Sequence, residues 1–225
     1  MKKPMILIGI ISVLLIITLS GCTQQSSSDQ SDVDSTPPTQ ESLLNILDKA
    51  GTIESLYYEV AATITMSSYG TQTATVKIWQ KMPYIKEQVT MNYAGATTTV
   101  TVIHRPEGNY TYDTAQGEYV LTPNVTSFGS SLQYFDSKMM KEYLNNQTMV
   151  NLQTEMVDGK LATIFEYTPL SGGTQMSVKV WIWNERGLPL KALVNMTLEQ
   201  MTMNMSFVFN NYSFAALPDS TFSVS

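Results

Sequence analysis

"QMTMNMSFVF", Gln200 to Phe209, sets methionine or phenylalanine at every second position, with small polar residues between them in its first half. Alternation with a period of two is the mark of a strand with one apolar and one polar face. Met201, Met203, Met205, Phe207 and Phe209 therefore share a face, opposite Thr202, Asn204, Ser206 and Asn210. Buried strand faces more often use stiff branched side chains such as Val and Ile, whereas an unbranched thioether adapts its shape. Two readings follow: ordinary core beneath a helix, or the deformable lining of a cavity. The chain has 14 methionines, and Met66, Met91, Met176 and Met196 also fall at inward-type positions of their strands. Flexible side chains specify a unique core poorly, so their number points toward the cavity.

The same rhythm extends outward in both directions. "YYEVAATITM" (57–66), "TATVKIWQK" (73–81), "YIKEQVTMNY" (84–93), "ATTTVTVIHR" (96–105), "NYTYD" (109–113) and "EYVLT" (118–122) precede it. "TMVNLQTEMV" (148–157), "LATIFEYT" (161–168), "QMSVKVWIWN" (175–184) and "LKALVNMTL" (190–198) lie closer to it. Short turns rich in Gly or Pro join most of these runs, which reads as an antiparallel meander. Two stretches break the rhythm. "TQESLLNILDKAG" (39–51) places Leu43, Leu44 and Leu47 on one stripe, with Thr39 as a cap and Gly51 as the stop. "SFGSSLQYFDSKMMKEYLNN" (127–146) carries the helical stripe Leu132, Phe135, Met139, Met140, Tyr143 and Leu144.

A long antiparallel sheet curls because each strand twists against the next, and its inner face then needs a cover. The expected fold is therefore mainly β with two α-helices. It is a curved antiparallel sheet, an incomplete β-barrel of about eleven strands, capped by those helices. Leu132, Phe135, Met139 and Tyr143 are the expected lid residues. The expected ligand-facing set is Met66, Met91, Val178, Val180, Met196, Met201, Met203, Met205 and Phe207.

The chain opens with "MKKPMILIGIISVLLIITLSGC", residues 1–22. Lys2 and Lys3, an apolar run from Met5 to Leu19 and small residues follow the order of a secretory signal. The run falls short of the ~20 residues a spanning helix needs. "LSGC", Leu19 to Cys22, resembles the lipobox of prokaryotic lipoproteins, and the chain's one cysteine stands where that motif requires it. The resemblance implies cleavage before Cys22 and a diacylglyceryl thioether on its sulfur, against the plainer reading of an ordinary signal with a chance cysteine. Two acyl chains hold a protein stably to a membrane. "TQQSSSDQSDVDSTPPTQ" follows without an aromatic residue or a lysine, and reads as a flexible tether. The expected organisation is a lipoprotein signal over 1–21, a lipidated tether over 22–39 and one domain over 40–225.

Of the 225 residues only 14% are charged, and the net charge is −6; losing Lys2 and Lys3 with the signal takes it to −8. An acidic chain argues against a nucleic-acid surface and against attachment to anionic headgroups by charge. One cysteine and one histidine leave no disulfide framework, metal cluster or histidine-based triad. Glu59, Glu87, Glu155 and Glu166 lie on different strands with no spacing of a catalytic pair. No phosphate loop or serine elbow is present. His104, next to Arg105 at a strand end, reads as structural. No enzyme activity, cofactor or metal is expected.

Several longer stretches resemble the LolA/LolB-like lipoprotein-carrier superfamily. "KMPYIKEQV" (81–89) is similar to its Pro-bearing turn and following strand. "RPEGNYTYDTAQGEYV" (105–120) resembles the next hairpin, with a Tyr-Asp pair and a Gln. "DGKLATIFEYTP" (158–169) and "VWIWNERGLPLKALV" (180–194) resemble later paired strands, including the turn from Gly187 to Pro189. "FAALPDSTFSV" (214–224) resembles the ending, a Pro-Asp turn before a final Phe. The resemblance covers about Gln40 to Val224, and the order of its elements carries more than any one of them. It implies a half-barrel with helices in its mouth and an apolar cavity that receives acyl chains. The lipobox and Lys86, near where carriers hold an arginine, set this chain apart from freely diffusing carriers and closer to anchored members.

The functional expectation is a membrane-anchored lipoprotein of the cell envelope, on the outer face of the plasma membrane. It binds a lipid, or the acyl chain of a lipoprotein, for transfer or chaperoning. Burying a chain of palmitate length yields roughly 12 kcal/mol gross at ~0.8 per CH₂. The alternatives are a protein-interaction or sensor module of the same fold without lipid, and a plain surface module with the Met face as ordinary core. Trp181 and Trp183 lie opposite Val178, Val180 and Ile182, so a helix or the tether is expected to cover them, the other reading being tryptophans exposed to lipid. Asn109, Asn124, Asn146, Asn195, Asn204 and Asn211 begin Asn-x-Ser/Thr sequons, read either as glycosylation sites or as the product of polar strand faces.

Overall fold

The computed structural model describes residues 38–67, 69–93, 95–123, 132, 135–146, 152–168, 175–198 and 201–224. The signal, Cys22, nearly all of the tether and Asn124 lie outside the described residues, as does the side chain of Asn146.

Helix α1, Gln40–Asp48, begins where Thr39 caps it. Thr39 Oγ1 accepts from the Ser42 N–H at 3.1 Å, and Ser42 Oγ accepts from the Thr39 N–H at 2.8 Å. This reciprocal pair satisfies two backbone donors that a helix start leaves open. A 3-10 turn over Lys49–Thr52, containing Gly51, ends it. Strands then run as β1 Leu56–Met66, β2 Gly70–Lys81, β3 Tyr84–Tyr93, β4 Ala96–Arg105, β5 Gly108–Asp113 and β6 Glu118–Leu121. Helix α2 spans Ser137–Asn146. After it come β7 Gln153–Val157, β8 Lys160–Tyr167, β9 Gln175–Trp183, β10 Leu188–Leu198 and β11 Met201–Ser213.

All eleven strands form one antiparallel sheet, ordered β6-β5-β4-β3-β2-β1-β11-β10-β9-β8-β7. It is a curved half-barrel, not closed on itself. The first and last strands meet at its centre, with Val60 opposite Phe209, Ala62 opposite Phe207, Ile64 opposite Met205 and Met66 opposite Met203. Two meanders thus grow outward from the β1–β11 seam, and the chain passes from one edge to the other through α2. The edge strands β6 and β7 are short, which limits the unpaired backbone offered to other chains.

The inner face carries the core. Leu43 and Leu47 of α1 and Met140 and Leu144 of α2 are at most 1% exposed and pack on Val60, Val76, Val178, Val180 and Phe207. The helices are joined to each other: Gln40 Nε2 donates to the Leu144 carbonyl, and Lys141 pairs with Asp48 at 2.5 Å. The mid-chain stripe differs from its sequence reading. Asp136 caps α2 by accepting from the Lys138 and Met139 N–H groups, so Leu132, itself helical, and Phe135, in a 3-10 turn, precede α2 and are not part of it. On α2 itself Met140 and Leu144 take the buried face, while Met139 and Tyr143 are half-buried.

The outer face has a smaller core of Ala162, Ile164, Trp181 and Leu190. Trp181 is 5% exposed, which sets aside its exposure to lipid. Its contacts among the described residues come from strand neighbours, not from a helix: its indole N–H donates to Glu155 Oε2 at 3.0 Å. The ammonium groups of Lys179 and Lys191 lie 5.2 and 4.7 Å from its ring centre. The motifs that resembled a carrier family have local structural roles. Asp113 accepts from the Ala115 N–H and from Gln116 Nε2, closing the β5–β6 turn at Gly117. Phe222, in the 3-10 turn Asp219–Phe222, is buried against Tyr84 on the outer face.

Candidate functional site

A cavity of about 630 Å³ lies at the end of the inner face where β1 and β10 begin and β2, β4 and β11 end. Tyr58, Ile78, Ile85, Phe209 and Tyr212 supply its sheet wall, and Leu132 and Phe135 face them from the segment before α2. The turn after α1 and the stretch Gly187 to Pro189 close one side. Met82, which is 67% exposed, also lines it, so the cavity reaches the surface. Its volume falls in the range of small-molecule sites, about 300–1,000 Å³.

Two local features hold this end in shape. Gly187 has φ +70°, and a β-carbon there would stand 2.3 Å from the Ile46 carbonyl oxygen, so only glycine lets the β9–β10 turn press against α1. Lys49 Nζ donates to the Asn184 carbonyl at 2.7 Å across the same junction. Tyr212 donates its hydroxyl to the Pro189 carbonyl and stacks with Tyr58 at 5.6 Å between ring centres.

The polar lining is concentrated at β3 and β4. Glu87 is 2% exposed, and its Oε1 lies 3.6 Å from His104 Nε2. His104 Nδ1 donates to Asn109 Oδ1 at 2.9 Å. The Glu87 carboxylate raises the pKa of His104 above its ordinary 6.5; burial opposes the rise and Asn109 adds to it. With Nδ1 turned to Asn109, Nε2 is the nitrogen that faces the Glu87 carboxylate. Burial, with Glu87 and Asp136 adding, pushes the Tyr58 hydroxyl well above its ordinary 10, and burial does the same for Tyr212. Both hydroxyls therefore stay neutral at ordinary pH. Among the described residues no three His, Cys, Asp or Glu side chains are grouped to hold a metal ion.

The residues expected to face a ligand lie elsewhere on the same face. None of Met66, Met91, Val178, Val180, Met196, Met201, Met203, Met205 and Phe207 lines this cavity. Val178, Val180 and Phe207 are buried in the main core. Met66 and Met203 pack with Ile64, and Met196, Met201 and Met205 border them half-buried; Met91 is half-buried beside the main core. Phe135 divides the two regions, its ring 5.0 Å from Phe207 and 5.8 Å from Phe209. Of the expected lid residues, Leu132 and Phe135 line the cavity, whereas Met139 and Tyr143 do not. Sequence reasoning missed Tyr58, Glu87 and Tyr212. The available signal was a lone Glu among Ile85, Val89 and Met91 on an otherwise apolar strand face.

At the methionine end, Gln72 is 4% exposed, and neither atom of its side-chain amide has a hydrogen-bond partner among the described residues. Of the sequon asparagines, Asn195 and Asn211 are exposed, while Asn109 and Asn204 are half-buried. Asn195 and Asn204 are register partners on the polar outer face.

No helix of the described residues is long and apolar enough to cross a membrane. Neither a family model nor a curated protein sequence matches the chain. Solved structures do. A LolA superfamily protein from Nitrosomonas europaea is similar at 13% identity and TM-score 0.41, over 80% of this chain and 96% of that one. LprF from Mycobacterium bovis is similar at 13% identity and TM-score 0.42, over 81% of this chain and 97% of that one. The Pseudomonas aeruginosa MucA/MucB complex gives 13% identity and TM-score 0.47, over 81% of this chain and 61% of the matched one.

Proposed function

We propose that this protein binds a lipid, or the acyl chain of a lipoprotein, and holds it away from water for transfer or chaperoning at the cell envelope. The observation that carries this reading is the cavity between the helical cap and the sheet, open to the surface and walled chiefly by aliphatic and aromatic side chains. Burial of apolar surface supplies affinity without chemistry. A chain longer than the cavity would have to push aside Phe135, which packs on Phe207, to reach Met203, Met205 and their neighbours. Thioethers accommodate such a guest by changing rotamer. Cys22 carries the membrane anchor in this reading, and the tether gives the domain reach from the bilayer.

The test uses the full chain purified from membranes, followed by organic extraction and mass spectrometry. Covalent lipid on Cys22 stays with the protein, and non-covalent lipid enters the extract. Wild type is expected to release close to one lipid per protein, and Ile85→Trp, which fills the cavity, about a tenth of that. Extracts without lipid, or equal loads from the two proteins, would overturn the reading. Peptide mapping of the same sample checks for a diacylglyceryl group on Cys22.

A further inference from the structure

A row of methionines crosses the inner face at the end away from the cavity. Met66 of β1 stands opposite Met203 of β11, Met203 opposite Met196 of β10, and Met196 opposite Met176 of β9. Side chains directly opposite on neighbouring strands start about 5 Å apart. Met201 and Met205 flank Met203 on the same face of β11, each about 7 Å along the strand. Met66 and Met203 pack with Ile64, and Met196, Met201 and Met205 pack against them half-buried. Five thioethers thus meet in one cluster. A methionine sulfur lies beyond its β-carbon on freely turning bonds, so sulfurs of the row can converge on one point without a change of backbone. Gln72 of β2 stands opposite Ile64, is 4% exposed, and its amide oxygen accepts no hydrogen bond among the described residues. A buried polar atom without a partner calls for one, and a cation would supply it. Thioethers are soft, neutral donors that suit Cu(I), whereas Mg(II) and Ca(II) take oxygen ligands. The cost of burying an ion rises with its charge, which also favours a monovalent one.

We propose that this row binds a soft monovalent metal ion, Cu(I) or its chemical analogue Ag(I), through the thioether sulfurs of Met66, Met203 and Met196, with Met201 or Met205 completing the set. The site is separate from the cavity and does not depend on the acyl-chain reading. Met66 ends β1 and Met201 begins β11, so the row lies at the rim of the sheet, where half-buried Met196 and Met201 give an ion a way in. Sulfurs packed against one another turn toward the ion by a change of rotamer.

The experiment titrates the full chain with Ag(I), and anaerobically with Cu(I) against the chromophoric chelator bicinchoninate. Every protein compared carries Cys22→Ala, which removes the chain's one thiol as a competing ligand. The parent is expected to hold one ion of either metal per chain. Met66→Leu with Met203→Leu conserves core volume, so the double variant is expected to fold. Its affinity is expected to fall at least about tenfold, since even a residue that merely orients a metal ligand is worth that much. Met196→Leu with Met201→Leu, at half-buried positions, is expected to fall in the same direction and decides the matter if the first pair unfolds the protein. Met156→Leu, at an exposed position, is expected to change nothing. X-ray absorption at the copper edge of the Cu(I)-loaded parent is expected to show sulfur as the scattering neighbour. A parent that holds no ion against the chelator overturns the proposal and leaves the row as packed core. Unchanged affinity in a folded double variant, or a copper spectrum dominated by nitrogen and oxygen neighbours, overturns it as well.

Discussion

At one end of the inner face Ile64, Met66 and Met203 are each 2% exposed and pack together, while at the other Tyr58, Ile85 and Phe209 border a cavity of about 630 Å³. The same sheet and the same seam build both ends. What differs is the stiffness of the side chains and how firmly they are tied. Methionines slide into whatever space their neighbours leave, because three soft torsions cost little to reset. The cavity end is built from rings and a backbone junction that are held in place. Tyr212 is bonded to the Pro189 carbonyl, His104 lies between Asn109 and Glu87, and Gly187 presses on α1. Walls tied in this way cannot collapse inward, so the hollow survives. Side chains soft enough to shape themselves around a guest are also soft enough to close the gap without one.

The comparison breaks first at Gly187. Gly187→Ala places a β-carbon against the Ile46 carbonyl in a left-handed backbone conformation, and is expected to cost about 3 kcal/mol or more in urea unfolding. A loss below about 1 kcal/mol would show that the α1 junction does not hold the cavity wall. Next comes Met203→Ala, expected to cost about 3 kcal/mol because it opens a void in packed surroundings, with Met203→Leu costing under about 1.5. Ile85→Ala is expected to cost less than half as much as Met203→Ala, since Ile85 already has empty space on one side. Equal losses from the two truncations would erase the distinction between a filled and a hollow end.

Smaller effects sharpen it. Gln72→Met removes two buried polar atoms without partners among the described residues, and is expected to raise stability by about 1 kcal/mol. A loss of stability would mean that the amide is satisfied in solution, by water for instance. The smallest effect concerns pH. The folded pKa of His104 lies above its ordinary 6.5, so its contact with Glu87 stabilises fully below that value and fades as pH rises through the folded pKa. Urea midpoints are expected to fall between about pH 6 and pH 8.5, and to flatten over that range in His104→Gln. An identical slope in both proteins would detach the effect from this histidine.

Much of the fold was legible in the sequence because its signals are local. The period of two in "YIKEQVTMNY" and "ATTTVTVIHR" gives β3 and β4 to the residue, since alternation follows directly from the pleat. The cap at Thr39 was readable for the same reason, its partner standing three residues away. The start of α2 was not. Leu132 and Phe135 fit a helical stripe and are helical, but Asp136 captures the next N–H groups and starts α2 as a separate helix after them. The site was less legible still. Parity identified which residues face inward, Met203, Phe207 and Val180 among them, yet facing inward does not tell a packed side chain from one that borders empty space.

Local signals in the chain were enough for a curved antiparallel half-barrel under two helices, with the inner face read on β1, β3, β9, β10 and β11, because propensity, period and capping act over a few residues. Only the tertiary structure decided that β1 and β11 meet at the centre and that the hollow opens at the Tyr58–Tyr212 end. Strand pairing across nearly the whole chain, and the difference between a filled and an empty volume, depend on how every wall is braced against the others. No single segment of the chain carries that information.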